Sequence, residues 1–332
     1  MDQKRFNYLI TIHNKEDLIG RVIEGILSAY GENSHIYPIL DGCTDNTEKQ
    51  IDLTLEKHLR KSGKNPRVTK IFMPDVHEIL SINEGLRKAP QDQPGYNIII
   101  QDDVILADPD LEHKVTAVSQ FVESRGKKLG MLAFRHGADL RIDDTKQKVA
   151  EINLIESCYG AGISGRPLLP NRLAQRTIVV RSPECIPTEV VSRVGVMEEK
   201  LAPYTYDNHD YSLRCVQQGF ENYVFCTKFV SEVKWGGMRK SPNPGAMKIL
   251  NRNNNYVYKT YRDYLLELEK NLPPEFDREF LVPNLRAYDS DREAQRIYRN
   301  AKDKLDQYSG VKPAKRFVNR AKRVIKDIYR GM

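Results

Sequence analysis

Several short polar runs in this sequence stand where an apolar run ends, and their side chains could hold a charged ligand. Gln101-Asp102-Asp103 follows Asn97-Ile98-Ile99-Ile100. Adjacent acids at the end of a buried segment repel each other and are costly to desolvate. A divalent cation, Mn²⁺ or Mg²⁺, would offset that cost. Such ions take one or two carboxylates together with phosphate oxygens and water, and there they stabilise charge on a leaving group. The competing reading is a solvated loop that happens to carry two acids. Asp41-Gly42-Cys43-Thr44-Asp45-Asn46-Thr47 closes a second apolar run. Asp41 can accept a hydrogen bond from a base or ribose, while Thr44 or Asp45 can cap the next helix. A plain strand–turn–helix cap explains much of the same pattern. His13-Asn14 ends a third run, and Asn83-Glu84-Gly85-Leu86 lies in a helix whose amino end should face the same place. Farther on, Tyr206-Asp207-Asn208-His209-Asp210 leads into an amphipathic stretch. A capped helix with Leu213 and Val216 in the core and Arg214 paired to an acid accounts for the stretch. It accounts less well for the polar residues that precede it.

The elements that must position these residues alternate. Tyr8–Ile12 reads as a buried strand, followed by a helix with Leu18, Ile19, Val22, Ile23 and Ile26 on its apolar face. His35–Leu40 is a second strand, and Thr44 to about Lys61 a helix stopped by Ser62-Gly63. Val68–Phe72 is a third strand, Ile79–Lys88 a helix and Asn97–Gln101 a fourth strand. This spacing predicts βαβ units and a parallel sheet covered on both faces. In such open sheets ligands bind beyond the carboxyl ends of the strands, where the polar runs fall. The middle is less regular: strands over Leu129–Phe134, Thr177–Arg181 and Tyr223–Cys226, a helix over Asp207–Gln218, and loops through 136–176. From about Arg252 the chain reads as helical and polar, and a last amphipathic helix follows Pro313.

The runs Ile10–Lys15, Leu40–Thr47, Leu80–Leu86 and Gln101–Asp103, in this order and spacing, resemble family 2 glycosyltransferases. The resemblance continues in Val194–Leu201, in Tyr206–Cys215 and in Gly219-Phe220, and covers about residues 5–260. It implies a GT-A fold, a Rossmann-like, mainly parallel central sheet with flanking helices, plus a C-terminal helical extension. It implies a nucleotide-sugar donor, on family grounds a UDP-sugar, with His13, Asn14, Asp41, Asn83 and Asp102 around it. Asp41 matches the acid that contacts the base. Asp103 matches the second acid of the metal-binding motif, whose first acid is Gln101 here. The late acid pair of the family reads Asp207-Asn208, and an amide cannot take a proton from an acceptor hydroxyl. Asp207 is therefore the expected base, with Asp210 as the alternative, and retention of configuration stays open. Lys234-Trp235-Gly236-Gly237 stands where the family often has a His before a glycine pair. Lys234 could contact the diphosphate. Trp235 could stack on a sugar or belong to the core. Arg239-Lys240-Ser241 follow in a candidate closing loop.

The expected division is 1–260 as a catalytic domain, with 1–105 its nucleotide-binding half and 106–260 its acceptor half, and 261–332 as a helical extension. The five cysteines show no CxxC spacing, which argues against a disulfide scaffold or structural zinc site and for a reducing compartment. No run reaches the roughly 18 apolar residues of a bilayer span, and Met1–Phe6 lacks the apolar core of a secretory signal. The net charge of +7 is concentrated in 301–332, where ten Lys/Arg face three Asp/Glu. Residues 312–330 combine that charge with an apolar stripe of Phe317, Ala321, Val324, Ile325 and Ile328. This suits either docking on an anionic membrane surface or packing on the body. The expected place is the cytoplasm, peripheral on the inner membrane face, near a glycan or lipid-linked acceptor. The neutral body argues against nucleic acid. Two other classes compete. A nucleotidyltransferase would want a Gly-rich phosphate loop after the first strand, which His13-Asn14-Lys15 is not. A silent nucleotide-sugar-binding scaffold would suit Gln101, Asn208 and Lys234.

Overall fold

The structure, a computed structural model, describes residues 4–157, 165–180, 182–231, 244–283 and 285. The expected tail helix 312–330, Lys234, Trp235 and Arg239–Ser241 lie outside the described residues.

The chain opens with β1 (Arg5–Ile12), α1 (Ile19–Ala29), β2 (Ser34–Asp41), α2 (Thr47–Ser62), β3 (Ile71–Met73), α3 (His77–Lys88) and β4 (Gly95–Gln101). It continues through β5 (Val104–Leu106), α4 (Leu111–Ser124), β6 (Leu129–Ala133), β7 (His136–Asp143), β8 (Lys148–Ser157), β9 (Arg166–Leu168), β10 (Arg172–Gln175) and β11 (Ile178–Val180). Then come β12 (Glu184–Pro187), α5 (Thr188–Val194), α6 (Asp207–Gln217), β13 (Glu221–Phe225), β14 (Phe229–Ser231), α7 (Pro244–Asn271) and β15 (Glu279–Leu281).

A nine-stranded sheet in the order β15-β10-β13-β6-β12-β4-β1-β2-β3 organises the molecule. Its first-built part, β3-β2-β1-β4, is parallel throughout. Only β12 and β10 run against the other strands. The central strands are apolar on consecutive residues because helices cover both faces. Tyr8, Ile10, Ile98 and Ile100 pack with Val22, Ile26, Val115 and Val118 of α1 and α4. Leu9 and Ile99 turn the other way, onto Ile79, Ile82 and Leu86 of α3. Burying each such side chain contributes about 1.5–3 kcal/mol. Gly85 lets α3 sit close on the sheet: a Cβ there would come 2.6 Å from Ile39 Cδ1. Gly85 of the 83–86 run thus serves close packing of the helix on the sheet.

A second sheet, β11-β7-β8-β9, replaces the expected loop over 136–176. The antiparallel β7–β8 pair turns at Asp143, whose carboxylate accepts from Thr145 Oγ1 at 2.6 Å and Lys146 N at 3.1 Å. That turn lacks the Asn-Gly or Asp-Gly signal of tight hairpins, which hid it from sequence. Helix α7 covers this sheet, with Val257, Tyr261 and Leu265 against Ala138, Leu140, Val149 and Ile178. It passes residue 260 without a break, and β15 beyond it returns to the edge of the main sheet. The third strand is shifted from Val68–Phe72 to Ile71–Met73, Val68 making only an isolated bridge to Ile36. No described helix is long and apolar enough to cross a membrane.

Candidate active site

The carboxyl ends of β1, β2 and β4 are adjacent in the sheet, so residues far apart in sequence converge there. His13 begins where β1 stops. Its backbone N–H donates to Asp102 Oδ2 at 2.9 Å, and its Nδ1 lies 2.6 Å from the carbonyl oxygen of Asp41. Asn14, with φ +48°, spends its side-chain oxygen on Thr44 N at 2.8 Å and Asp45 N at 3.4 Å. It therefore ties the β1 loop to the β2 turn. Asp41 is buried at the end of β2 and accepts from Val76 N at 2.7 Å. Gly42 follows with φ +58°, and a Cβ there would fall 2.5 Å from Asp75 Cβ, so the turn requires glycine.

The acid pair comes from the turn after β4. Desolvation pushes the Asp102 carboxyl up to about 6. The Lys15 charge and the His13 N–H work against that rise, while Asp103 and Glu78 add to it. Lys15 Nζ lies 3.7 Å from Asp102 Oδ1. Gln101 directs its amide N–H to the Glu78 carboxylate of α3. Glu78, Gln101, Asp102 and Asp103 line one crevice of about 340 Å³ with Thr11, His13, Asp41, Asp75, His77, Ser81 and Tyr204. A larger hollow of about 1030 Å³ opens at the amino ends of the strands, beside Arg5, Arg67, Tyr96 and Glu112, and none of the candidate residues reaches it.

Among the described residues no three His, Cys, Asp or Glu side chains close into a metal cage. The donor set that is present, two adjacent carboxylates at a crevice mouth, fits a hard cation that takes its other ligands from phosphate and water.

The 206–210 segment sits on the other side. Asp207 is buried in the first turn of α6, where the helix dipole favours a negative charge. Asn208 Nδ2 donates to Glu184 Oε2 of β12 at 2.5 Å. Asp210 is buried and committed to packing: it accepts from Tyr261 Oη of α7 at 2.7 Å and from Arg214 Nε at 2.8 Å. Neither Asp207 nor Asp210 lines the crevice, whereas Tyr204, from the same stretch, does.

Asn83 does not belong to the crevice. It is fully buried and exchanges two hydrogen bonds with the Met197 backbone, donating at 3.0 Å and accepting at 2.8 Å. Its run is a packing feature that joins α3 to the 197–199 segment. Sequence reading also passed over Asp75, Glu78, Ser81 and Arg135. Arg135 follows the carboxyl end of β6, donates to Ser182 O at 2.8 Å and feels the charge of Asp103. The same strand-end rule that picked out Asp41 applies to it.

A mainly parallel sheet with polar residues gathered beyond its strand ends defines an α/β protein with its crevice where open sheets of this class bind ligands. Residues 8–123 match the sequence model of the family described as Glycosyl transferase family 2, so the resemblance read from the first four runs is borne out over that span. The 194–201 and 206–215 runs lie beyond it. Among solved structures, Staphylococcus aureus TarS matches at 13% identity and TM-score 0.45, over 69% of this chain and 37% of that one. TarS 1–349 in complex with UDP matches at 13% and 0.44, over 68% and 58%. The Pyrobaculum calidifontis mannosyltransferase PcManGT in complex with GDP-Man and Mn²⁺ matches at 11% and 0.48, over 99% and 87%. Likeness this distant says nothing of what the present chain binds. No curated protein matches the chain.

Proposed function

We propose that this protein is a glycosyltransferase that moves a sugar from a nucleotide-diphosphate donor to a glycan or lipid-linked acceptor. The observation that carries the reading is the convergence of His13, Asp41, Asp102 and Asp103 in one crevice within the span that matches family 2. Asp41 accepts from the nucleoside, and His13 and Asn14 fix the loops around it. A divalent cation, Mn²⁺ or Mg²⁺, held by Asp103 with Asp102 beside it would set positive charge against the diphosphate leaving group. Arg135, just beyond β6, supports the same charge. In an inverting displacement the acceptor hydroxyl gives up its proton as its oxygen attacks the anomeric carbon; Asp207, which does not line the crevice of the free protein, is the base proposed from its place in the sequence. The bond to the diphosphate breaks with its electron pair. The nucleotide is read as UDP.

The test is thermal unfolding with UDP, GDP, CDP and ADP, each with and without Mn²⁺. One diphosphate should raise Tm in a metal-dependent way, by the free energy RT ln(1 + [L]/Kd). Asp103→Ala should lose that rise and leave the Tm of the free protein unchanged. No rise with any nucleotide would refute the reading.

A second reading, a silent nucleotide-sugar-binding protein, is favoured by one observation: Asn208 is locked onto a buried carboxylate instead of carrying one. Donor hydrolysis by the wild type separates the two. For residues 312–330 we retain docking on an anionic surface. Co-sedimentation with phosphatidylserine vesicles, lost at high salt, checks it.

A further inference from the structure

Ser81 lies one turn into α3, is fully buried, and lines the crevice beside Glu78, Gln101 and Asp41. Its hydroxyl has no hydrogen-bond partner among the described residues. Helical serines ordinarily bond back to a carbonyl one turn earlier, and a buried hydroxyl left unpaired costs free energy. Alanine would fit the site, avoid that cost and favour the helix more. The hydroxyl is thus a local loss to the free protein, placed where a ligand would meet it.

Its surroundings specify what would meet it. Two neighbours face the same space with their polar groups already arranged: Gln101 is held by Glu78, and Asp41 by Val76 N. Gly85, one turn farther along α3, anchors the helix on the sheet, so Ser81 cannot withdraw.

We infer that Ser81 is a donor-recognition residue, its hydroxyl hydrogen-bonding the nucleoside part of a bound nucleoside diphosphate at the floor of the crevice. The inference rests on the glycosyltransferase reading and adds a specificity residue to it. A hydroxyl both donates and accepts, so it can meet a carbonyl or an N–H of a base or a ribose hydroxyl. Bound nucleotide removes the penalty that the free protein carries. The signature is therefore a change of opposite sign in the two states.

The experiment compares wild type, Ser81→Ala and the size-matched Ser81→Cys. It measures Tm without ligand and Kd for UDP, GDP, CDP and ADP with Mn²⁺. Ser81→Ala should match or exceed the wild-type Tm, while its Kd for the diphosphate the wild type prefers should weaken roughly three- to tenfold. Ser81→Cys should weaken binding similarly. A clear fall in the Tm of ligand-free Ser81→Ala would overturn the inference, because the hydroxyl would then have a partner within the fold. Unchanged Kd in both variants would overturn it as well. If the wild type binds no diphosphate, the donor reading itself fails, which is distinguishable because the variants then have no affinity to lose.

Discussion

The two acids at the start of α6 look alike in sequence and differ in what holds them. Asp210 is clamped by Tyr261 and Arg214. Asp207 occupies the turn nearest the Tyr204 loop. Asp210→Asn should therefore act on stability, at a cost on the order of 3 kcal/mol for a broken buried pair, read as a lower urea midpoint. Asp207→Asn should lower kcat by about 10²- to 10⁴-fold if Asp207 is the base, a loss larger than its change in the urea midpoint accounts for. Unchanged kcat in folded Asp207→Asn would count against a catalytic Asp207. His35 illustrates the same dependence on surroundings. Desolvation, then the charges of Arg5 and Arg67, lower it from 6.5 to about 4. It stacks on Tyr37 with ring centroids 4.3 Å apart. Above pH 6.5 the folded and unfolded chains both hold it neutral. As pH falls from 6.5 toward 4 the unfolded chain takes up the proton first, so stability is lost over that window. Partial exposure keeps the effect small. His35→Gln should flatten the slope of Tm between pH 7 and 4.5 relative to wild type.

At the scale of elements, the 201–206 segment depends on α7. Thr205 and Tyr206 have φ of +75° and +62°, a region that β-branched and aromatic residues rarely occupy. Asn253, fully buried on α7, donates to Leu201 O at 2.7 Å, Tyr204 O at 3.0 Å and Thr205 O at 2.9 Å. Asn253→Ala should release this segment, seen as faster amide exchange over 201–206. Exchange in β1 and β4 should stay as in wild type. Uniformly faster exchange throughout would mean that Asn253 serves global stability instead. None of this was legible in the Asn251–Asn255 neighbourhood of the sequence, which reads as a polar stretch because its hydrogen bonds are to distant backbone. The N-terminal elements were legible because β1, β2 and β4 are buried on both faces and α1 has one apolar stripe. The β7–β8 pair was not, since α7 covers one of its faces from 100 residues away and its turn has no Gly signal. The crevice was half legible: strand ends announced Asp41, Asp102 and Asp103, while Asn83 and Ser81 share a helix and only packing tells which faces inward.

For the molecule as a whole, the chain beyond α7 rejoins the edge of the main sheet through a strand as short as β15. A buried ionic cluster makes that join. Asp139 of β7 accepts from Arg278 Nη1 at 3.0 Å and Nη2 at 2.6 Å, and from Asn153 Nδ2 and Thr177 Oγ1. Glu279, the first residue of β15, pairs with Arg166 and Arg176. Asp139 is held below the usual carboxylate range although burial opposes this, because the Arg278 guanidinium outweighs the desolvation. Such a cluster gives little net stability over an apolar one, but removing one partner strands the other charge without water. Asp139→Ala and Arg278→Ala should each cost about 3–5 kcal/mol. The double variant should cost clearly less than their sum, because no charge is then left unpaired. Urea unfolding of the three variants measures that coupling. If the costs simply add, the pair does not hold β15 to the body and the closure of the sheet rests on its apolar neighbours Phe280 and Val282 instead.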